Sequence, residues 1–201
     1  MLVIGLTGPT GSGKGTVAEI FSAYGLPVMD ADEIYHQLLV PPSLCLDELT
    51  DRFGVGILTA EGTLNRRALG AIVFSDPVSL EALNTITHHH VMHEIRKRLE
   101  QLRRANTRAA VIDAPQLFEA GADRDCNVIV SVIADKRLRL DRIMRRDGID
   151  AEAAMRRIEA QKTDAFFRSH SDYIIENNTV PEALLPEVRR ILCEMGVLSC
   201  G

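Results

Sequence analysis

No apolar run in the 201 residues approaches the ~20 that a membrane-spanning helix needs, which excludes a transmembrane helix. The opening residues MLVIGLTG carry no basic segment before their apolar stretch, so they read as a buried strand, not a secretory leader, and a cytoplasmic location is expected. Cysteine is sparse, and Cys45, Cys126, Cys193 and Cys200 form no C-x-x-C pair. Neither a disulfide framework nor a zinc site is expected from that pattern; buried or incidental thiols are. An excess of positive charge is also missing: the formal net charge is −5, which argues against a general nucleic-acid binder. No N-K-x-D occurs, as a guanine-reading switch requires, and there are no repeats, low-complexity tracts or linkers.

What is present is ordinary for a globular chain. Hydrophobic residues make up 46% and charged residues 25%, and the length suffices for one domain with a sizeable core and room for a small insertion. Short apolar runs alternate with amphipathic stretches. Leu2 to Leu6, Pro27 to Met29, Ala109 to Asp113, Val128 to Ala134 and Tyr173 to Ile175 predict about five strands, with a helix over Thr16 to Tyr24 stopped by Gly25. Continuous apolar runs such as VIVSVIA suit strands covered on both faces, so the fold expected is α/β, a doubly wound parallel sheet with right-handed crossovers. Asp30 to Arg104 breaks the rhythm with a nearly all-helical pattern. Ser43 and Asn65 are candidate caps, Ser75 with Pro77 opens a further helix, and Thr87 to Arg104 reads as a long one.

Three clusters bear chemistry. From Gly8 the run GPTGSGKG fits the first seven places of the phosphate loop G-x-x-x-x-G-K-S/T, with a strand before it and a helix after it. Backbone N–H groups of such a loop, the helix N-terminus and Lys14 together favour phosphate. The eighth place, normally a magnesium-binding hydroxyl, is Gly15, and Thr16 follows. Asp30-Ala31-Asp32 directly follows the second strand; a carboxylate there either orients a substrate hydroxyl and takes its proton or caps the next helix. Between Lys136 and Arg146 six basic residues stand against one acid, Asp141. Guanidinium groups from such a segment stabilise a loose phosphoryl-transfer transition state, although a solvated helix face is the alternative. His88-His89-His90 cannot converge on one ion from adjacent helical positions, and His89 with His93 finds no third ligand.

GLTGPTGSGKGTVAEIF followed by DADEIYHQL resembles the dephospho-CoA kinase family, and the likeness continues through EGTLNRRALGAIVFSDP, APQLFEAGAD, RIMRRDGI, RRIEAQ and SDYIIENN, roughly residues 1–180. The resemblance implies a phosphate-loop kinase domain with its core at about 1–32, 105–140 and 171–201, a helical substrate insertion at about 33–104 and a helical lid at about 141–170. It implies ATP-dependent, Mg²⁺-dependent phosphorylation of the ribose 3′-hydroxyl of dephospho-CoA to give CoA. Asp32 matches the catalytic base, Lys14 the residue bridging the β- and γ-phosphates, and Arg142 the lid arginine, with Arg146 as an assistant. Gly11, Ser12, Gly13, Lys14, Gly15, Thr16, Arg142 and Asn177 fall at the ATP site, Asn177 where the family approaches adenine; Arg67 and His88 fall in the substrate insertion. With Gly15 lacking a hydroxyl, Mg²⁺ is expected on phosphate oxygens and water, with Thr16 as a further candidate. His89 and Gln116 depart from the family pattern. ATP and dephospho-CoA are the expected partners, with no nucleic acid and no membrane, in a monomer or small homo-oligomer. A nucleoside monophosphate kinase, whose loops also end in Gly-Lys-Gly-Thr, lacks the TLNRRALGAIVFSDP segment.

Overall fold

The computed structural model describes residues 1–179 and 183–199. Five strands, β1 (Leu2–Thr7), β2 (Val28–Asp30), β3 (Ala109–Asp113), β4 (Val128–Ile133) and β5 (Tyr173–Glu176), form one parallel sheet in the order β2-β3-β1-β4-β5. Ile4 in β1 lies opposite Val111 on one side and Val128 on the other. Every residue of β3 is buried, as a strand covered on both faces requires. The strand order reverses beside β1, and in open sheets of this kind ligands bind past the carboxyl ends at that point.

The helices are α1 (Lys14–Ala23), α2 (Ala31–Leu38), α3 (Leu44–Phe53), α4 (Arg66–Val73), α5 (Pro77–Arg104), α6 (Lys136–Asp147), α7 (Ala151–Glu159), α8 (Asp164–Ser169) and α9 (Leu184–Glu194). The chain divides into two compact units, one of Met1–Met29 with Leu102–Gly201 and one of Asp30–Gln101. In the first, α1 and α9 pack on the sheet through Phe21, Ile191 and Leu192 against Ile4, Val130 and Ile175. In the second, α3, α4 and α5 close around Leu49, Leu69, Val73 and Ile86. A smaller core of Ile143, Ala154 and Ile158 joins α6 to α7.

Local signals place most helix ends. Ser43 Oγ accepts the Leu46 N–H at 3.2 Å and Asn65 Oδ1 accepts the Ala68 N–H at 3.0 Å, as expected of N-caps. Two expectations need correction. α5 is one helix of 28 residues that runs through the three histidines instead of restarting at Thr87. Thr87 is buried and turns its hydroxyl back onto the Leu83 carbonyl at 2.8 Å, which satisfies it inside the helix. The helix is opened by Asp76, not Ser75: its carboxylate accepts the N–H groups of Val78 at 3.2 Å and Ser79 at 3.0 Å.

The cysteines also differ in part from expectation. Cys193, in the last turn of α9, is disulfide-bonded, a pairing that the absence of any C-x-x-C spacing hides. Cys45 and Cys126 are free; burial pushes their thiols up to about 11 and about 12 respectively, so both stay protonated at neutral pH. Cys200 lies outside the described residues. No described helix is long and apolar enough to cross a membrane.

Phe21 is fully buried beneath the sheet, whereas Phe74 is 82% exposed. Phe21→Ala is expected to cost about 3–5 kcal/mol of unfolding free energy and Phe74→Ala less than about 0.5 kcal/mol, measured by urea denaturation. Equal costs would contradict the core assignment.

Candidate active site

β1 ends at Thr7 and α1 begins at Lys14, so the glycine-rich run is the turn between them. α1 starts two residues before the expected Thr16, because the chain tightens at Gly13 into the first helical turn. Gly13 has φ 89°, and a Cβ there would lie 2.0 Å from Asn177 Nδ2. Only glycine fits. No side chain caps α1 and its first turn holds no acid, so the positive end of the helix faces outward unneutralised. Inside the loop, Ser12 Oγ is buried without a hydrogen-bond partner. An orphaned hydroxyl beside an uncapped helix N-terminus is what a phosphate oxygen satisfies.

The loop is held from behind. Asn177, buried at the end of β5, donates through Nδ2 to the Ser12 carbonyl at 2.8 Å. Arg142 on α6 donates through Nη1 to the carbonyls of Gly11 and Ser12 at 3.2 and 3.3 Å, and through Nη2 to the Asn177 carbonyl and Oδ1 at 3.1 and 3.4 Å. Lys14 forms an ion pair with Asp113, the last residue of β3, in largely buried surroundings. The ammonium is thus anchored by one carboxylate, with two further N–H donors to spend.

Gly11, Ser12, Gly13, Lys14, Arg142 and Asn177 are therefore brought together. Gly15 is exposed, and a Cβ added there meets nothing within 4 Å. Thr16 is half-buried, its N–H bonded to the Gly13 carbonyl at 3.1 Å. Arg146 is mostly a surface residue: Asp147 holds its guanidinium through two bonds of 2.7 and 3.0 Å, and Nη2 reaches Thr10 Oγ1 at 3.4 Å. That carboxylate raises the Arg146 pKa further above its ordinary value.

The remaining predicted residues belong to the second unit. Asp32 is exposed in the first turn of α2. The cap of that helix is Asp30, whose Oδ1 accepts the N–H groups of Asp32 at 2.8 Å and Glu33 at 3.1 Å, so the Asp32 carboxylate is not spent on capping. Arg67 is exposed on α4, and His88 is half-buried on α5. His90 bonds Glu48 at 2.7 Å. Among the described residues no three His, Cys, Asp or Glu side chains gather to hold a metal. Gln116 is exposed in the turn after β3, so it poses no buried polar deficit.

Sequence reasoning missed Asp113 and also Arg139, Gln161 and Asp164, which bond to the Thr10 backbone or to one another beside the loop. Asp113 had a readable signal, a charge closing the apolar run AAVI. Arg139 had none that separates it from its basic neighbours.

The family model for dephospho-CoA kinase matches residues 2–182. The chain belongs to the dephospho-CoA kinase family. The dephospho-CoA kinase of Syntrophotalea carbinolica is 38% identical over 97% of this chain and 92% of its own. A Thermus thermophilus crystal structure superposes with a TM-score of 0.80 at 32% identity, covering 96% of this chain and 97% of that one. The Campylobacter jejuni dephospho-CoA kinase gives 0.72 at 28% identity, covering 96% of both. Membership in the dephospho-CoA kinase family makes this chain a kinase, and its phosphate loop stands in the strand–helix context that the motif demands.

Gly13→Ala is expected to weaken ADP binding more than about tenfold, since a strained non-glycine conformation alone costs about 1–3 kcal/mol. Gly15→Ala should leave it within about threefold, because an added methyl in open space removes no contact. Calorimetric titration checks both.

Proposed function

We propose that this chain transfers the γ-phosphoryl group of ATP to the ribose 3′-hydroxyl of dephospho-CoA, giving CoA and ADP. The observation that carries the reading is the family match over residues 2–182, which takes in the helical unit as well as the phosphate loop. The orphaned Ser12 Oγ and the uncapped start of α1 support a triphosphate as the donor.

In this reading the 3′-oxygen attacks the γ-phosphorus, the bond from phosphorus to the β–γ bridging oxygen breaks, and the proton of the hydroxyl passes to the Asp32 carboxylate. Asp32 suits that role because Asp30 has taken over the capping. The N–H groups of Gly11, Gly13, Lys14 and Gly15 and the Ser12 Oγ hold phosphate oxygens, the Ser12 and Thr16 N–H groups being taken by the Pro9 and Gly13 carbonyls. Lys14, kept in place by Asp113, neutralises the β- and γ-phosphates. Arg142 exchanges its long bonds to the loop carbonyls for the equatorial phosphoryl oxygens when the segment of about 141–170 closes as a lid, a motion that also excludes water. Asn177 contributes from beneath, through Ser12 and Arg142, since its buried amide is already engaged. Arg67 and His88 are assigned to the acceptor; an exposed guanidinium on α4 suits its phosphate groups.

The open space at Gly15, next to the Thr16 hydroxyl, fits a magnesium ion carried in with the nucleotide. When bound, Mg²⁺ supplies charge neutralisation across the β- and γ-phosphates. Water and phosphate oxygens would hold it, with the Thr16 hydroxyl as a further candidate, since Gly15 has none. The protein is expected to act in the cytoplasm, where both substrates are small soluble molecules.

A coupled ADP-release assay is expected to show turnover with dephospho-CoA and none with AMP; ATP binding without turnover, or preference for AMP, would overturn the assignment. Asp32→Asn should retain ATP binding while kcat falls at least ~100-fold, the lower range for loss of a general base. Near-normal turnover removes Asp32 from that role. Gly15→Ser, which has room for its side chain, should sharply lower the Mg²⁺ concentration needed for half-maximal rate; an unchanged requirement counts against the water-held ion.

A further inference from the structure

Arg139 is a buried charge that the mechanism above does not use. It sits on α6 at 4% exposure. Burial pulls its pKa below the ordinary arginine value, with the Asp164 carboxylate acting in the opposite direction. Its Nε donates to the Thr10 carbonyl at 3.0 Å, its Nη1 to Asp164 Oδ1 at 3.4 Å and its Nη2 to Gln161 Oε1 at 3.4 Å. Gln161 Oε1 in turn accepts the Thr10 N–H at 2.8 Å. Both polar groups of one loop residue's backbone are thus captured by side chains from the segment spanning α6 to α8. The backbone of Arg139 also presses on the loop: a Cβ at Gly11, where φ is 77°, would lie 2.8 Å from the Arg139 carbonyl oxygen.

A buried guanidinium needs partners for its donors, and the planar fork finds three here by joining α6 to the loop and to the α7–α8 connection. Thr10 is the residue immediately before Gly11 and Ser12, which the phosphate site requires in one conformation. Gln161 and Asp164 lie in the connection from α7 to the start of α8. We propose that Arg139 is a positioning residue that sets the phosphate loop through the Thr10 backbone and couples the α7–α8 connection to the grip on the nucleotide. The inference rests on ATP being bound at this loop. It assigns Gln161, an exposed residue with no catalytic contact, to the same device.

The coupling can be read in ADP affinity by calorimetry on Arg139→Gln, Gln161→Ala and the double variant. Each single change is expected to weaken ADP binding about fivefold or more, the size of a lost charge-assisted or backbone hydrogen bond. The double variant should fall short of the product of the two effects by more than about threefold, because residues in one network do not add. In the steady state KM for ATP should rise while KM for dephospho-CoA stays put. Arg139→Lys should recover only part of the affinity, since one ammonium cannot span the Thr10 carbonyl and both side-chain acceptors. Unchanged ADP affinity in both single variants, simple multiplication in the double, or an equal rise in both KM values would overturn the proposal. Gln161→Ala keeps the test alive if the buried arginine cannot be replaced without unfolding. Should the wild-type chain bind ADP but fail to phosphorylate dephospho-CoA, the assigned reaction falls while the ADP cycle still decides the coupling.

Discussion

The structure is organised around a deficit at the carboxyl end of β1. A helix begins there with no capping side chain, and a buried serine hydroxyl beside it has nothing to bond. An unmade hydrogen bond on a buried polar group costs about 1–3 kcal/mol, so the surroundings must hold the loop in a conformation it would not keep alone. They do so from three sides. Asn177, just past β5, sits under Ser12, α6 supplies Arg142 and Arg139 against the loop carbonyls, and β3 supplies Asp113 to steady Lys14. What an anion gains on arriving is the stabilisation that the folded chain leaves open.

The same constraint explains the placement of the charges. A net acidic protein concentrates arginines on α6, the helix that faces the loop, so the positive field is local and not a property of the whole surface. Most of those arginines are occupied by carbonyls or carboxylates, which positions them and prevents like charges from spreading the segment. The core that joins α6 to α7 is small, three buried residues, so that pairing has little apolar burial to resist local opening. The polar latch on Thr10 then becomes a substantial share of what keeps the segment in place.

Much of this was readable from residues. The strands stood out because parallel strands buried on both faces are apolar without interruption, and Ser43 and Asn65 announced their helices. The phosphate loop was legible down to its departure at Gly15. α5 was harder. A threonine before three histidines looks like a helix start, and only its burial shows that the hydroxyl bonds back within the helix. Asp76 was overlooked for Ser75 because both are good caps and one residue separates them. Arg139, Gln161 and Asp164 were illegible for a stronger reason. Arg139 and Gln161 act through contacts across more than a hundred residues of sequence to Thr10, Asp164 acts only through Arg139, and a basic helix face looks the same whether or not one of its arginines is buried.

The central claim is that the residues from Gly11 to Thr16 form a ready phosphate site whose own backbone does the binding. Amide nitrogen and proton shifts recorded during an ADP titration test it most directly. Large, saturable shifts at Gly13, Lys14, Gly15 and Thr16, with the β1 amides from Val3 to Leu6 little changed, are the predicted result. Loop amides that stay where they are at saturating ADP would contradict it.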